Sequence, residues 1–522
     1  MGDRVYLGKK GTKTAYPTRR RSGGMKRRPL NQYECESDEQ GVSASAKKLK
    51  DCNEEFDVNS QFSYRIINFC AVFSVIAQHV KCKTCGSKIE FRERSPRGLG
   101  FKIVIACPKC PDVDIPSSKF IRNAYEINRR IVLAMRLIGI GLQGIKKFCA
   151  FMDLPQPIFH SFYDKLVKTI AIATKAVRDA SMKKAAQEEK EGSHKIGKTD
   201  GITVSGDGSW RKRGFSSLFG VTSLIGWLSG KIIDVEVKSK YCKSCEHWKS
   251  KNGTTEFEEW QISHADECQA NHEGSSGKME VNAVVEMFQR SEDLYGVKYS
   301  NYIGDGDSKT FKGIVDSKPY ENFDVHKKEC IDHVQKRMGT RLRNLKKGTK
   351  GLGGRENWCS WKKAKAENAL DAYHHNQPMS EEVYQAIKPI YVELSRDDLL
   401  ERCLGACTQN NNESFNATVW SLAPKSSSSG KTVLDIATDI AVCTFNGGLT
   451  NVLQIFKMLE VEIGAQLYNF CTEADAKRIT HAEASLSDAA KSARALQKST
   501  RKDEEDKNLA IEGQMYGAGI AD

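Results

Sequence analysis

Residues 202–238 read ITVSGDGSWRKRGFSSLFGVTSLIGWLSGKIIDVEVK. Three runs in this stretch are rich in β-branched and aromatic residues, and connections rich in Gly, Ser and basic residues separate them, as turns separate strands. We therefore expect three strands, which begin at Ile202, Leu218 and Lys231 and form a meander. The first strand leads directly to Asp207, and we expect it to end there.

Helices and strands alternate after the meander. Apolar residues at helical spacing predict a helix over Met279–Leu294, and a short strand follows at Lys298–Ile303. A basic helix is expected from Cys330 to Lys347, and residues 356–405 read mainly helical. A meander followed by this alternation indicates an α/β fold with a mixed sheet and a helical insertion at about 356–405.

Three acidic residues stand where these elements end or begin. Asp207 and Asp305 each follow a strand, and Glu413 begins a late helix. Carboxylates delivered in this way can hold two divalent ions ~4 Å apart, one of which activates a water or a 3′-hydroxyl while the other stabilises the leaving oxygen. Oxygen ligands favour Mg²⁺, or Mn²⁺ as a substitute. Asp-Gly after a strand is also ordinary turn chemistry, so the pattern alone leaves both interpretations open.

Two CxxC pairs, Cys82 with Cys85 and Cys107 with Cys110, lie on either side of two strand-like stretches. Each pair presents two thiolates from one tight turn, and the two turns can close a tetrahedral zinc site. We therefore predict a zinc ribbon over residues 61–115, with a structural metal. The chain has 17 Cys, an odd number, and this spacing favours metal sites over disulfides.

A second cluster follows the meander, within residues 242–272. Cys242, Cys245, His264 and Cys268 would complete a Cys₃His zinc site, and His272 is an alternative ligand to His264. The competing interpretation is a surface hairpin that carries these side chains incidentally.

The helical region at residues 116–198 begins with two amphipathic segments. Apolar residues repeat at helical spacing from Asn123 to Leu154 around a Gly-rich turn. This could be a helix-turn-helix with basic side chains for phosphates, or a plain helical hairpin. The basic side chains are Arg129, Arg130, Lys146 and Lys147.

Positive charge is concentrated at the N-terminus. The chain of 522 residues has a net charge of +14, and residues 1–50 contribute 13 of its 80 Lys and Arg against 5 of its 66 Asp and Glu. We expect residues 1–60 to be a disordered basic leader, and the clusters at Arg19–Arg21 and Lys26–Arg28 to serve nuclear import or loose phosphate contact. We expect a charged helical tail over residues 451–522. No apolar run approaches the roughly 20 residues that span a membrane.

The stretch Ser205-Gly-Asp-Gly-Ser-Trp210-Arg-Lys-Arg-Gly-Phe-Ser-Ser217 resembles the first catalytic block of Mutator-like transposases. Further blocks of that family follow in order, and the resemblance covers about residues 60–450. These blocks are Cys242-x-x-Cys245, Asn271-His-Glu-Gly-Ser-Ser276 with Met279-Glu280, Tyr302-Ile-Gly-Asp-Gly-Asp-Ser308, Cys330-Ile-Asp-His333, and Asn411-Asn-Glu413-Ser-Phe-Asn416 with Val419-Trp420.

The resemblance implies a ribonuclease H-like catalytic domain over residues 199–450 and metal-dependent DNA strand cleavage and strand transfer at transposon ends. Its DDE triad would be Asp207, Asp305 and Glu413, with Asp307 in reserve for the second position. It implies two catalytic Mg²⁺ ions, a nuclear location and DNA as partner, with a homo-oligomer as the working form. The alternatives are a domesticated, catalytically silent zinc-dependent DNA-binding protein and a nuclease acting on RNA hybrids.

The same resemblance assigns two groups of residues to supporting roles. Cys330 and His333 would position DNA or the active site, although a buried thiol beside an exposed His is an equal alternative. Basic residues of the following helix would contact the DNA backbone, unless they form a solvated helix face. These residues are Arg337, Arg341, Arg343, Lys346 and Lys347.

Overall fold

The computed structural model describes residues 42–50, 55–122, 124–212, 216–304, 308–348, 380–427, 429–494, 496–497 and 500. The basic clusters at Arg19–Arg21 and Lys26–Arg28 lie outside these residues, as do Asp305 and Asp307. Within the described part of the chain, no helix combines the length and the apolar character needed to cross a membrane.

The N-terminal described segment contains two helices and a small antiparallel sheet. Helix α1 lies within the predicted leader, and its N-cap Ser43 accepts a hydrogen bond from the Ala46 amide. The sheet has the strand order β1-β2-β3, and it lies in the region where we predicted the zinc ribbon. The elements are α1 Ala44–Leu49, α2 Phe69–His79, β1 Glu90–Arg97, β2 Gly100–Ala106 and β3 Val113–Pro116.

A short hairpin and three helices follow. The two amphipathic segments form α3 and α4, and Gly139, whose φ of +76° suits glycine, lies in the turn between them. Their apolar faces pack with α5 in one core, as helices of a globular unit do. The elements are β4 Phe120–Ile121, β5 Ala124–Tyr125, α3 Glu126–Leu137, α4 Leu142–Phe151 and α5 His160–Lys195.

A mixed five-stranded sheet forms the centre of the C-terminal part, with the order β10-β9-β6-β7-β8. Strands β6, β7 and β8 pair antiparallel as the predicted meander, whereas β9 is parallel to β6 and β10 is parallel to β9. The strands are β6 Ile202–Trp210, β7 Phe219–Gly226, β8 Ile232–Ser239, β9 Tyr299–Gly304 and β10 His326–Glu329.

Strand β6 extends beyond Asp207, so the expectation that it ends there is wrong. Its pairing with β7 continues until Trp210 faces Gly220. On its other edge, the pairing with β9 stops where Ser205 faces Ile303. Asp207 therefore lies within a strand, just past the point where the neighbouring β9 ends.

Helices cover both faces of this sheet. In the described residues they begin with two short helices of residues 242–272, which we call the Cys/His segment, and finish with two long C-terminal helices. They are α6 Lys243–Trp248, α7 Thr255–His264, α8 Ser276–Gln289, α9 Ser291–Tyr295, α10 Ser308–Ser317, α11 Ile331–Gly348, α12 Glu381–Leu394, α13 Asp397–Cys403, α14 Asn410–Leu422, α15 Lys431–Met458 and α16 Ala465–Leu486.

The sheet separates two apolar cores, because successive side chains of a strand face opposite sides. Val204 of β6 packs in one core with Val284 and Phe288 of α8. The other core contains Phe415 of α14 and Val221 of β7, together with buried residues of α15. The two faces of β6 therefore contact different helices, α8 on one side and α14 on the other.

Helix α15 crosses the boundary that we placed between the catalytic domain and a C-terminal tail at residue 450. Val452, Leu453 and Phe456 lie in the same core as Ile170 of α5. Burial of these side chains makes the last turns of α15 part of the folded unit. The helix is kinked at Gly448, which has a φ of +75°. The kink frees the Leu449 and Thr450 amides, and both donate hydrogen bonds to the carboxylate of Asp475.

Candidate active site and metal centres

Helix α14 lies along β6 and is fixed to it by side-chain amides. Asn412 accepts a hydrogen bond from Ser205 Oγ at 2.8 Å and donates one to the Ser205 carbonyl at 3.1 Å. Gln409, just before the helix, donates to the Gly206 carbonyl at 2.6 Å. All four groups are buried, so these bonds satisfy polar atoms that water does not reach and set the register between strand and helix.

The same helix contacts Asp207 one turn further on. Asn416 Nδ2 donates to Asp207 Oδ2 at 2.7 Å, and Trp420 Nε1 donates to Ser209 Oγ at 2.8 Å. Residues 412, 416 and 420 follow helical spacing, so one stripe of α14 contacts Ser205, Asp207 and Ser209, which are alternate residues of β6. Asp207 consequently has a carboxylate oxygen held by a neutral donor from the helix that carries Glu413.

Glu413 lies in the first turn of α14, which begins three residues earlier, at Asn410, than we expected. Its side chain is 62 % exposed, and Lys336 Nζ of α11 lies 3.8 Å from its Oε1. The structure thus places Glu413 on the helix that binds Asp207. The second acidic position cannot be described in the same way, because Asp305 and Asp307 are outside the described residues; Gly304, the residue before them, ends β9 beside β6.

Glu280 of α8 is an acidic residue of this region that we did not predict as a site residue. A Cβ atom at Gly208 would lie 2.9 Å from Glu280 Oε2, so this carboxylate lies against the backbone next to Asp207. A side chain at residue 208 would displace the Glu280 carboxylate from this place, so glycine permits the close approach. The sequence signal was the pair Met279-Glu280 among the family blocks, which gave no indication of where Glu280 would lie.

The four cysteines of the predicted ribbon come together. Their sulfur atoms all lie within 4.8 Å of one another, an arrangement that could hold a metal ion. Cys82 Sγ is 3.8 Å from Cys110 Sγ, and Cys85 Sγ is 3.4 Å from Cys107 Sγ. A hydrogen bond from Ser87 lowers the pKa of the Cys85 thiol to about 6, which favours the thiolate that binds zinc. Four thiolates around one point are the ligand set of structural zinc.

The second cluster also comes together, with His264 and not His272 beside the cysteines. Cys242 Sγ lies 3.3 Å from His264 Nε2, Cys245 Sγ lies 3.5 Å from Cys268 Sγ, and all four ligand atoms lie within 4.8 Å of one another. His272 instead lies with Nε2 3.1 Å from the Ser275 carbonyl oxygen. Both cysteine clusters could therefore hold zinc, and they are the groups of this kind among the described residues.

Cys330 and His333 stand at the start of the basic helix. Cys330 precedes α11 and is buried against Ile303 and Cys407, and its amide donates to the Gly304 carbonyl at 3.3 Å. Cys330 lies just before the first residue of the helix, Ile331, and its carbonyl accepts hydrogen bonds from the His333 and Val334 amides, each at 3.1 Å. Through Cys330, this segment contacts the end of β9, immediately before Asp305.

Two of the arginines that we predicted to contact DNA are bound within the protein. Arg337 pairs with the buried Glu329 at 2.6 Å, and Arg341 makes a two-bond contact with Glu393 at 2.6 and 2.8 Å. Arg343 is exposed, and within the described part of the chain it donates locally, to Thr340 Oγ1 at 3.1 Å. The side chains of Lys346 and Lys347 are outside the described residues.

The helical hairpin also uses its arginines internally. Arg129 donates to the Leu459 carbonyl at 2.6 Å, and Arg130 contacts Glu126 and the Glu462 carbonyl. These contacts join α3 to the segment after α15. The two arginines therefore contribute to the packing of the hairpin.

Comparison with known proteins adds one finding to this geometry. The model of the Mutator-like transposase family matches residues 63–398, more than half of the chain. This match includes both cysteine clusters, Asp207 and the 305–307 segment, and it ends before Glu413. Comparison with curated proteins finds no match. The chain belongs to the Mutator-like transposase family.

Proposed function

We propose that this protein is a DDE-type transposase that cuts and joins DNA at transposon ends with two divalent metal ions. Family membership supports a transposase or transposon-derived protein. The observation that carries the finer proposal is the contact between Asn416 and Asp207, because it joins the first proposed carboxylate to the helix that bears Glu413. Asp305 would be the second carboxylate, with Asp307 in reserve.

We further propose that the five-stranded sheet is a ribonuclease H-like core. In its support, Asp207 lies on the central strand β6, and β9, which precedes Asp305, is parallel to it. Ile303 pairs with Ser205, and the two proposed aspartates follow these partners by two residues each. Carboxylates that follow paired positions of parallel strands belong at one edge of a sheet, where ligands commonly bind.

The donor set fits hard divalent cations. Asp207 and Glu413 offer carboxylate oxygens, which Mg²⁺ prefers, and Mn²⁺ can replace it. When bound, a pair of such ions would activate the attacking oxygen and stabilise the leaving oxygen of the cut strand. Asn416 Nδ2 donates to one carboxylate oxygen of Asp207 and so orients the group. Lys336, near Glu413, places a positive charge where DNA phosphates would approach.

The remaining parts of the chain receive proposed roles around this site. The two cysteine clusters would hold structural zinc, and the ribbon or the α3–α4 hairpin would recognise the DNA ends. We propose a nuclear location from the basic N-terminal clusters and a homo-oligomer as the working form. These roles rest on the sequence and on the family, and each can be tested apart from catalysis.

The test is a strand-cleavage assay with the full chain, using DNA that carries the genomic sequences flanking its coding region, with Mg²⁺ or Mn²⁺. We expect the wild type to cut, and Asp207→Asn, Asp305→Asn and Glu413→Gln to lose cutting by a factor of at least about 10³ while still binding DNA. Asp307→Asn distinguishes the reserve position. Glu321→Gln, an exposed residue outside the site, is the matched control. DNA binding without cutting by the wild type would instead support the silent DNA-binding protein.

A further inference from the structure

Lys48 of α1 is a buried lysine in the segment that we expected to be a disordered leader. Only 4 % of the residue is exposed. Its amine lies 3.6 Å above the centroid of the Phe445 ring, a cation–π contact, and it donates to Asn411 Oδ1 at 3.4 Å. The helix α1 thus contributes an amine to the interior, beside α14 and α15.

Both partners of Lys48 lead to the helix that carries Glu413. Asn411 is in the first turn of α14, two residues before Glu413. The ring of Phe445 in turn packs edge-on against Phe415 of the same helix, with centroids 5.7 Å apart. Lys48 therefore supports α14 immediately before and, through Phe445, immediately after Glu413.

The direction of this support follows from helix geometry. Successive residues of an α-helix differ by about 100°, so Asn411 and Glu413 leave α14 on nearly opposite sides. The stripe that binds β6, which includes Asn412, lies between them. The first turn is thus held by β6 on one side and by Lys48 on the side away from Glu413.

Gly230, in the turn between β7 and β8, lies against both Lys48 and Asn411. A Cβ atom at Gly230 would lie 3.1 Å from Lys48 Cε and 3.2 Å from Asn411 Nδ2, so this glycine, with a φ of +64°, leaves the space that the contact occupies. Burial, with the nearby cations Arg478 and Lys231, lowers the pKa of Lys48 to about 7. A buried amine costs free energy that an apolar side chain of the same length would not, so stability alone does not account for a lysine here.

We propose that Lys48 is a positioning residue for Glu413, and that the N-terminal helix α1 is therefore part of the catalytic unit. The proposal rests on the assignment of Glu413 to the metal site. Lys48 does not touch the reacting atoms. It fixes the first turn of α14, so that the carboxylate of Glu413 keeps its place relative to Asp207 when DNA and metal bind.

The test uses the full chain and two readouts. Lys48→Met keeps the apolar stem and removes the charge, Asn411→Ala approaches the same contact from its other side, and Lys50→Met, an exposed lysine after the same helix, is the matched control. The first readout is amide hydrogen exchange over residues 410–413. We expect faster exchange in both contact variants and no change in the control.

The second readout is strand cleavage at several DNA concentrations. We expect Lys48→Met to lower kcat about tenfold with an unchanged KM and an unfolding temperature no lower than that of the wild type, and the double variant to be no worse than either single one. Wild-type exchange and kcat in both contact variants would overturn the positioning role. Absence of cutting by the wild type would overturn the proposed function instead, and the exchange readout would still decide whether Lys48 fixes α14.

Discussion

The side-chain amide of Asn416 donates to Asp207 Oδ2 at 2.7 Å and so joins the central strand of the sheet to the helix that carries Glu413. The side-chain amide of Asn is neutral, so it can donate a hydrogen bond to a carboxylate without adding a charge of its own. The bond therefore orients the carboxylate of Asp207 without adding a charge to the site. This relationship is the basis of the first prediction.

Replacing Asn416 should impair cleavage more than it impairs binding. Asn416→Ala removes a hydrogen bond to a charged group, about 1.5–3 kcal/mol, and we expect cleavage to fall by a factor of about 10 to 100. Asn416→Asp should be worse, because it places a second carboxylate against Asp207. Single-turnover cleavage rates at saturating DNA would measure both effects.

The control for this prediction is Ser414→Ala on the same helix, an exposed residue for which we expect wild-type rates. Equal rates for the wild type and Asn416→Ala would show that the contact does not orient a reacting group.

The two histidines of the Cys/His segment provide a matched pair for the second prediction. His264 lies with three cysteines, whereas His272 contacts a backbone carbonyl. We expect two zinc ions per chain in the wild type, one in His264→Ala, and two in His272→Ala, as counted by elemental analysis of the purified protein. Loss of zinc on changing His272, with His264→Ala unaffected, would reverse this assignment.

Much of the fold could be predicted because its signals are local. Alternating β-branched residues indicated β6, β7 and β8, and the spacing of the CxxC pairs indicated the cysteine cluster on the ribbon. The end of β6 could not be predicted, because the strand continues past Asp207 through pairing with Gly220 and its neighbours. Polar residues such as Ser209 do not reveal that pairing in the sequence.

The parts of the site that we missed are those that depend on tertiary contact. Asn416 was visible in a family block, yet nothing in the sequence shows that its amide meets Asp207. Lys48 reads as one more basic residue of a charged leader, and only its burial against Phe445 separates it from the others. Arg337 is the opposite case. Its position on a basic helix predicts a DNA contact, whereas in the structure it pairs with the buried Glu329.

The third prediction concerns Asp439, which is buried between α15 and α5. Arg178 pairs with it at 2.9 Å and Thr174 donates to it at 3.1 Å, yet burial raises its pKa to about 6. A carboxyl group with a raised pKa binds its proton more tightly in the folded state. Its contribution to stability is therefore present at low pH and is lost as the pH rises from about 4 to about 6.

We expect the difference in unfolding temperature, Asp439→Asn minus wild type, to increase over that pH range and to stay level above it. Asp179→Asn is the matched control, because Lys175 and Arg178 lower the pKa of Asp179 despite its partial burial, so its stabilising effect is lost only below about pH 4. Thermal melts of the three proteins between pH 4 and 8 would test the sign. A difference that falls with pH for Asp439→Asn would contradict the assignment.

The fourth prediction separates the arginines of α11. Glu329 is only 2 % exposed, and Arg337, Lys327 and Arg402 surround it, so Arg337 serves to neutralise a buried charge. We expect Arg337→Ala to lower the unfolding temperature, since it removes the shortest of these pairs. Arg343 is exposed, and the partner that the described residues offer it is Thr340 of the same helix, so we expect Arg343→Ala to leave the unfolding temperature unchanged.

DNA binding should respond in the reverse order, because only an arginine that can leave its protein partner is available to a phosphate. For Arg343→Ala we expect weaker binding and a slope of log K against log salt that is smaller by about one counterion. For Arg337→Ala, measured below its unfolding temperature, we expect the wild-type slope. If Arg337→Ala reduced the slope and Arg343→Ala did not, the ion pair with Glu329 would have to open on DNA, and the basic helix would bind through the side chains that the free protein keeps neutralised.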